Sequence, residues 1–306
     1  MLQRSLESER GFRHISYSRE PIGRLGRRNC VRDIIVGSEA LASGLVTRQT
    51  LRTKYVKLHH NVYAPAGMQL DATDRAVAAW LWSRRGATLV GHSAAAMHFT
   101  QWLPDDGPAE LAHANQPSPP GIVIHRGTIA ADEICLRQSI DCTTPARTGY
   151  DIGRRMPGDI AIIRIDALLN ATRCSPAEIE QIADRYPGAR GIRRLRAALD
   201  LADGGAESPK ETELRLLLVR DGLPRPVTQI RVGRRRIDMG WPEWKVGVEY
   251  DGEQHWTDPD KHAEDIERLE FLAAQGWIIV RVSARQLRYD RAGILGRVRR
   301  ALAQYL

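Results

Sequence analysis

The sequence predicts a multi-domain α/β protein, and three observations carry that reading. The chain has 306 residues, enough for two or three domains. Apolar residues make up 42% of it, so a core can form along most of its length. Its periodicity changes along the chain, from short helices with a hairpin, through mixed helix and strand, to a strand meander framed by helices. The predicted units are residues 1–30, a disordered tail or extension; 31–67, a winged helix-turn-helix; 68–205, an α/β middle region; and 206–306, a mixed sheet flanked by helices. The clearest boundary is Gly204-Gly205. Ser208-Pro209-Lys210-Glu211 follows it with a full helix-start signal: a Ser cap, Pro at the first helical position and Glu three residues after the cap.

Composition narrows the function classes. No apolar run approaches the roughly 20 residues of a membrane span, and no secretory leader is visible. A cytoplasmic location without a membrane partner is therefore expected. Cys30, Cys135, Cys142 and Cys174 lie far apart with no CxxC pair, which fits reduced thiols and argues against a zinc site. The net charge is +8, distributed as +7 over residues 1–67, −1 over 68–205 and +2 over 206–306. A basic excess concentrated at the N-terminus points to double-stranded DNA as a partner there.

From Val31 the pattern becomes compact. Ser38-Glu39-Ala40-Leu41-Ala42 predicts a short helix with Ser38 as cap and Gly44 as breaker. Thr47 caps a second helix that carries Arg48, Arg52 and Lys54 on its outer surface. Leu58 to Pro65 reads as a two-stranded wing. Helix, tight turn, basic helix and wing describe a winged helix-turn-helix, with those three basic residues as DNA contacts. The capped helix ending at Gly44, Val46-Thr47-Arg48 and the Asn61-Val62-Tyr63-Ala64-Pro65 wing resemble the N-terminal domain of abortive-infection antitoxins of the AbiEi type. The resemblance continues through Gly91-His92-Ser93-Ala94-Ala95-Ala96 and Thr144-Pro145-Ala146-Arg147-Thr148. It implies recognition of operator DNA, repression of the protein's own operon and a cognate toxin as partner. Asn61 stands where that wing usually has Gly, and Asn tolerates positive φ.

In the middle region, Asp74 to Trp82 is helical by period. Gly121 to His125 is a short strand after the Pro117 to Pro120 loop. Ile160 to Leu169, Pro176 to Ile182 and Gly191 to Leu201 are further helices. His92 and His98 lie six apart, which is not a metal-ligand spacing. No chemistry is predicted here; positioning, homo-oligomer formation or partner binding is the expected work.

The predicted order after Gly205 is helix (208–221), strand (227–232), strand (235–241), strand (245–251), helix (259–275), strand (277–282) and helix (290–305), an α/β core with a mixed sheet. Two of its strands are separated by a turn over Pro242-Glu243-Trp244-Lys245. Centring that turn between Glu243 and Trp244 sets 238 opposite 249. Directly opposed like charges destabilise a hairpin. Period 2 places Gly247, Glu249 and Asp251 on one face and Val246, Val248 and Tyr250 on the other. The apolar face can enter a core. The acidic face then needs a cation, and a hard divalent ion held by carboxylates is the simplest.

That order, together with Ile237-Asp238, Val248-Glu249-Tyr250-Asp251-Gly252-Glu253-Gln254-His255, Asp265 with Arg268, and Gly276-Trp277-Ile278-Ile279-Val280-Arg281-Val282, resembles the PD-(D/E)XK nuclease fold. The restriction-endonuclease-like group related to very-short-patch mismatch repair endonucleases is the nearest within it. The resemblance implies that Asp238 and Glu249 take the places of the motif's two acids. Asp251 stands where the general motif has Lys, as is common in that group. His255 could then assist as base or phosphate donor, and Glu211 matches the acid on the first helix. Mg²⁺ or Mn²⁺ bound by Asp238, Glu249 and Asp251 is the implied cofactor. Arg234, Arg235 and Arg236, preceding Asp238 on its strand, are expected to hold the phosphate backbone. Asp265 and Arg268, one helical turn apart, read as a surface ion pair. The implied activity is metal-dependent DNA hydrolysis. The alternative is a non-catalytic antitoxin-like repressor whose nuclease-like domain binds DNA or a partner.

Overall fold

The computed structural model describes residues 34–104, 106–113, 117–252, 259–303 and 305. The tail read as 1–30 and residues 253–258, with His255 and Trp256, lie outside the described residues. None of the described helices is long and apolar enough to cross a membrane.

The N-terminal unit contains β1 (Ile35–Val36), α1 (Gly37–Ala42), α2 (Arg48–Lys54), β2 (Tyr55–His59) and β3 (Val62–Pro65), the strands forming an antiparallel sheet ordered β1-β3-β2. A two-residue strand leaves no periodic trace in the sequence, so β1 was not legible. Ser38 is not the cap of α1; it lies inside the helix. Its backbone N–H instead donates to Asn61 Oδ1 at 3.0 Å, and Asn61 Nδ2 donates to Ser38 Oγ at 2.8 Å. Asn61, at φ 62°, thus serves the helix end from the turn between β2 and β3. Thr47 does cap α2, accepting from Thr50 N–H at 3.0 Å. No residue of α2 is buried, and Arg48, Arg52 and Lys54 are exposed.

The middle region begins with α3 (Ala72–Trp82), which Asp71 and Asp74 cap reciprocally. Helix α3 serves two cores. Ala78 packs with Ile34, Val62 and Ala64 of the N-terminal unit, whereas Ala76, Val77 and Ala79 face a five-stranded sheet. That sheet comprises β4 (Thr88–Leu89), β5 (Ala109–Ala112), β6 (Ile122–His125), β7 (Ile134–Arg137) and β8 (Ile140–Thr143), in the order β6-β5-β4-β8-β7. Only β6 was anticipated; the others span two to four residues and are interrupted by polar side chains. Helix α4 (Gly91–Met97) follows β4, while α5 (Pro145–Arg155), α6 (Gly158–Thr172), α7 (Pro176–Arg185) and α8 (Ile192–Leu199) build a helical core around Ile152, Ile165, Leu168, Ile179 and Leu195.

A buried ionic cluster ties the sheet to this helical core. Thr144 caps α5 and Pro145 opens it, which places Arg147 one turn in. Arg147 bridges Glu133 and Asp151, both fully buried, and its guanidinium lies 5.3 Å from the Tyr150 ring and 5.5 Å from that of Tyr186.

The C-terminal domain contains α9 (Pro209–Arg220), β9 (Val227–Val232), β10 (Arg235–Trp241), β11 (Val246–Asp251), α10 (Pro259–Ala274), β12 (Ile278–Ser283), α11 (Ala284–Tyr289) and α12 (Arg291–Leu302). The sheet order is β12-β11-β10-β9, with β11 and β12 parallel and the other pairs antiparallel, the mixed sheet expected. One face packs Met239, Trp241, Val246 and Val248 against Leu214 and Leu218 of α9 and Ile294 and Val298 of α12. The other packs Ile230, Ile237 and Trp277 against Leu272 of α10. Trp241 is buried in the first core, and Trp244 stacks on Tyr305, so both tryptophans pack. Helix α9 also reaches the middle region. Leu216 enters the helical core, and fully buried Arg215 donates to Asp166 at 2.7 Å. The middle and C-terminal units are therefore joined by a desolvated ion pair.

Removing one partner of a buried pair strands the other's charge. Among the described residues, Arg147→Ala leaves fully buried Glu133 with only the longer cationic contact from Arg185, and Asp151 with Arg154 and Arg155 alone; it is expected to destabilise the fold by about 3 kcal/mol in urea unfolding, and a change within 1 kcal/mol, on the order of a surface substitution, would contradict this role.

Candidate functional site

The site is built on an interruption in a sheet. Strands β10 and β11 pair in the expected register, with Met239 opposite Val248, Gly240 opposite Gly247 and Trp241 opposite Val246. The turn closes through Lys245 N–H to Pro242 O at 3.2 Å. On the other side of β10 the ladder pairs Ile237 with Ile230 and Met239 with Thr228, but omits Asp238 and Gln229. Gln229 sits at φ 52°, a costly conformation for a non-glycine residue and a frequent mark of functional sites. Ile237 and Met239 are two residues apart yet enter opposite cores, so side-chain alternation breaks at Asp238. Its Oδ2 accepts the backbone N–H of Tyr250 at 2.9 Å, which brings its carboxyl onto the edge of β11.

Strand β11 supplies the other acids. Val246 and Val248 are buried in the core shared with α9, so Glu249 and Asp251 take the opposite face, toward α10. Arg268 of α10 grips Glu249 with two hydrogen bonds, Nη1 to Oε1 at 2.5 Å and Nη2 to Oε2 at 3.0 Å. The same guanidinium reaches Asp265 Oδ1 at 2.7 Å. Arg281, beside Glu249 in the parallel register of β12, donates to Asp251 at 2.7 Å and to Asp265 at 2.9 Å. Asp265 and Arg268 are thus not a mere surface pair. They link Glu249 to Asp251 through a chain of alternating charge. Arg268 and Arg281 were not foreseen as site residues, because ligating geometry across a parallel crossover has no local sequence signature.

Asp238 differs from its neighbours. Among the described residues no arginine or lysine forms an ion pair with it. Burial and then the nearby charge of Glu211 push its carboxyl up to about 7, with Glu249 adding to the effect. Burial raises Glu211 as well, against hydrogen bonds from Glu207 N–H at 2.9 Å and Ser208 Oγ at 2.9 Å. Glu211 therefore both supports the start of α9 and loads negative charge onto Asp238. For Arg268, burial works to lower the pKa, but its bonds to Glu249 and Asp265 outweigh it and hold the guanidinium charged.

Asp238, Glu249 and Asp251 line one cavity of about 1010 Å³ together with Arg231, Arg234, Arg235 and Arg236. Two details differ from expectation. Arg234 lies in the turn before β10 rather than on the strand, because Gly233-Arg234 closes the β9–β10 hairpin with Gly233 at φ 57°. Arg236 is engaged by Glu207 in a two-bonded pair at 2.6 and 2.8 Å, so it is not a free phosphate contact. Lys245 donates to Gln275 O at the end of α10, away from the acids. His255 lies outside the described residues, and Arg48, Arg52 and Lys54 belong to the separate N-terminal unit.

The donor set is all carboxylate oxygen, which suits a hard divalent ion. The unpaired charge at half-buried Asp238 is the feature such an ion would satisfy. Glu249 and Asp251 could join as ligands once Arg268 and Arg281 turn aside.

Residues 211–302 match the restriction-endonuclease-like family REase_MTES_1575, and residues 87–201 match the AbiEi antitoxin C-terminal domain. The chain thus carries a nuclease-like domain behind an antitoxin-like one. It is similar to two Mycobacterium tuberculosis proteins, MT2308 of strain CDC 1551 / Oshkosh and Rv2248 of strain ATCC 25618 / H37Rv. Each is 32% identical over 165 residues, 52% of this chain and 61% of the relative. The chain therefore spans less than two thirds of these curated relatives. No solved structure matches it.

The raised Asp238 pKa has a sign. Between about 4 and about 7 the folded chain keeps a proton that the unfolded chain has lost, so this group makes stability fall as pH rises through that window. Asp238→Asn removes the liability. Its Tm at pH 8 is expected to exceed that of the metal-free parent by a few degrees, with little difference at pH 4; equal melting at both pH values would contradict the assignment.

Proposed function

We propose that this chain is a metal-dependent DNA endonuclease brought to its DNA by the basic N-terminal unit. One observation carries the reading: a half-buried carboxyl with no described cation partner, Asp238, stands in a cavity with Glu249 and Asp251, whose wall also carries Arg231, Arg234 and Arg235, while the charge of nearby Glu211 acts on it. Such a cavity attracts a polyanionic backbone and concentrates unbalanced negative charge at one point. A divalent ion held there would polarise a phosphate and acidify a bound water. Asp238 would orient it, with its own carboxyl fixed by the Tyr250 N–H. Arg231 and Arg235 would hold the backbone. The lysine of the general motif is missing at Asp251. Arg281, bonded to Asp251 from the adjacent strand, would return a positive charge to that place. The relation to very-short-patch repair enzymes and the winged form of the N-terminal unit belong to the same proposal.

A second reading has its own support. Arg268 takes both oxygens of Glu249 and Arg281 takes Asp251, so these two carboxylates have cationic partners without an ion. The domain would then bind DNA or a toxin without cutting, as an antitoxin-like repressor.

Cleavage decides between them. Purified full-length protein with Mg²⁺ or Mn²⁺ is expected to nick supercoiled, linear or mismatched DNA, and Asp238→Ala is expected to lose at least about 100-fold of that rate. Intact DNA in all three forms, with promoter binding unchanged by Asp238→Ala, would sink the nuclease and favour the repressor.

A further inference from the structure

A second cluster of ligand-type side chains lies in the middle region, where the cysteine spacing argued against a zinc site. Strands β7 and β8 form a hairpin closed by Gln138 and Ser139, both at positive φ (51° and 64°), a pattern that matches the twist of paired strands. Its register sets Cys135 opposite Cys142. Cys142 is fully buried and Cys135 half-buried. Their sulfurs stand 3.8 Å apart. His98, buried at the end of α4, reaches the same hairpin and places its Nε2 2.8 Å from Thr143 O. One ring nitrogen of His98 and both sulfurs all lie within 4.8 Å of one another.

We infer that His98, Cys135 and Cys142 form a binding site for a thiophilic d¹⁰ ion, Zn²⁺ being the type. Two sulfurs and an imidazole, with no carboxylate, select a soft or borderline metal and discriminate against the hard ions that suit Asp238. The spacing agrees. Two thiolates bonded at about 2.3 Å to one tetrahedral ion stand roughly 3.8 Å apart, which is the separation found. The imidazole nitrogen, within 4.8 Å of the sulfurs, has to close by at most about 1 Å to complete the bonds.

The hydrogen bonds of His98 are compatible with ligation through Nδ1. Nε2–H donates to the Thr143 carbonyl, the kind of outer bond that fixes a ligating imidazole. The lone pair is then left on Nδ1, which accepts only from Arg137 Nε at 3.3 Å among its described bonds. Arg137 is exposed and can swing away. On binding, both thiol protons pass to solvent and a neutral ion–dithiolate unit results. Three protein ligands leave a fourth position for water on the side of half-buried Cys135. The ion would fasten the end of α4 to β7, the edge strand of its sheet.

Cobalt reads this site directly, since only thiolate ligation gives a near-ultraviolet sulfur-to-cobalt charge-transfer band. Full-length protein, stripped with chelator under reducing conditions, is expected to take up one equivalent of Co²⁺ with that band. Zn²⁺ should erase the band and raise the Tm. Cys142→Ser, or Cys135→Ser at the more exposed position if the first fails to fold, is expected to weaken binding by about 100-fold. The Cys30→Ser/Cys174→Ser variant should bind as the parent does. Folded parent protein that shows no charge-transfer band, or a band that survives both Cys135→Ser and Cys142→Ser, would overturn the inference. So would a Cys135–Cys142 disulfide that persists under those reducing conditions.

Discussion

The register of the β10–β11 hairpin is the constraint on which the C-terminal site depends. The turn at Pro242–Lys245 pairs Trp241 with Val246 and Met239 with Val248, and all four enter the core beneath α9. Once they are buried, Glu249 and Asp251 can lie only on the face toward α10. A slip of one residue would drive both carboxylates into that core and expel two valines. Hydrophobic burial therefore holds acids together that would separate if left to themselves. The interruption at Gln229 and Asp238 adds the third acid by turning one side chain where regular pairing would have placed a ladder bond.

The charge so gathered is divided unequally. Arg268 and Arg281 pair with Glu249, Asp251 and Asp265, two guanidiniums shared among three carboxylates, and partial burial makes those bonds stronger than surface pairs. Asp238 has no such partner among the described residues, and Glu211 makes its position worse. An incoming cation would thus find one unsatisfied carboxyl and two whose guanidinium partners it must outcompete. The site is also tied to the rest of the chain. Helix α9 carries Glu211 at its start and buried Arg215 one turn on, so the element that loads charge onto Asp238 is anchored to Asp166 of the middle region.

What could be read from the sequence follows physical scale. Strands of six or seven residues, β9, β10 and β11, were visible by alternation and turn chemistry, and so was the register of β10 on β11, although the ladder pairs Met239 with Val248 and not Asp238 with Glu249. Helices opened by Thr47 and Ser208-Pro209 announced themselves through local caps. The short strands β1, β4, β5, β7 and β8 did not, because their stability comes from neighbours distant in sequence. The same reason hid Arg268 on Glu249, Arg281 on Asp251 and His98 beside Cys135 and Cys142. Each of those contacts is set by which strands become adjacent, and no spacing along the chain encodes that. Ser38 misled because a capping residue type in the right place lost its role to Asn61, 23 positions away.

The central claim is that the acidic face of β10–β11 holds a divalent cation through Asp238. The most direct test is a Mn²⁺ titration of chelator-stripped, full-length protein at pH 8, followed by electron paramagnetic resonance of the free ion. The account predicts saturable binding that is lost in Asp238→Asn and weakened in Glu249→Gln, with both variants still folded. Mn²⁺ that stays free in the presence of folded parent protein, or binding that is the same in all three proteins, would contradict it.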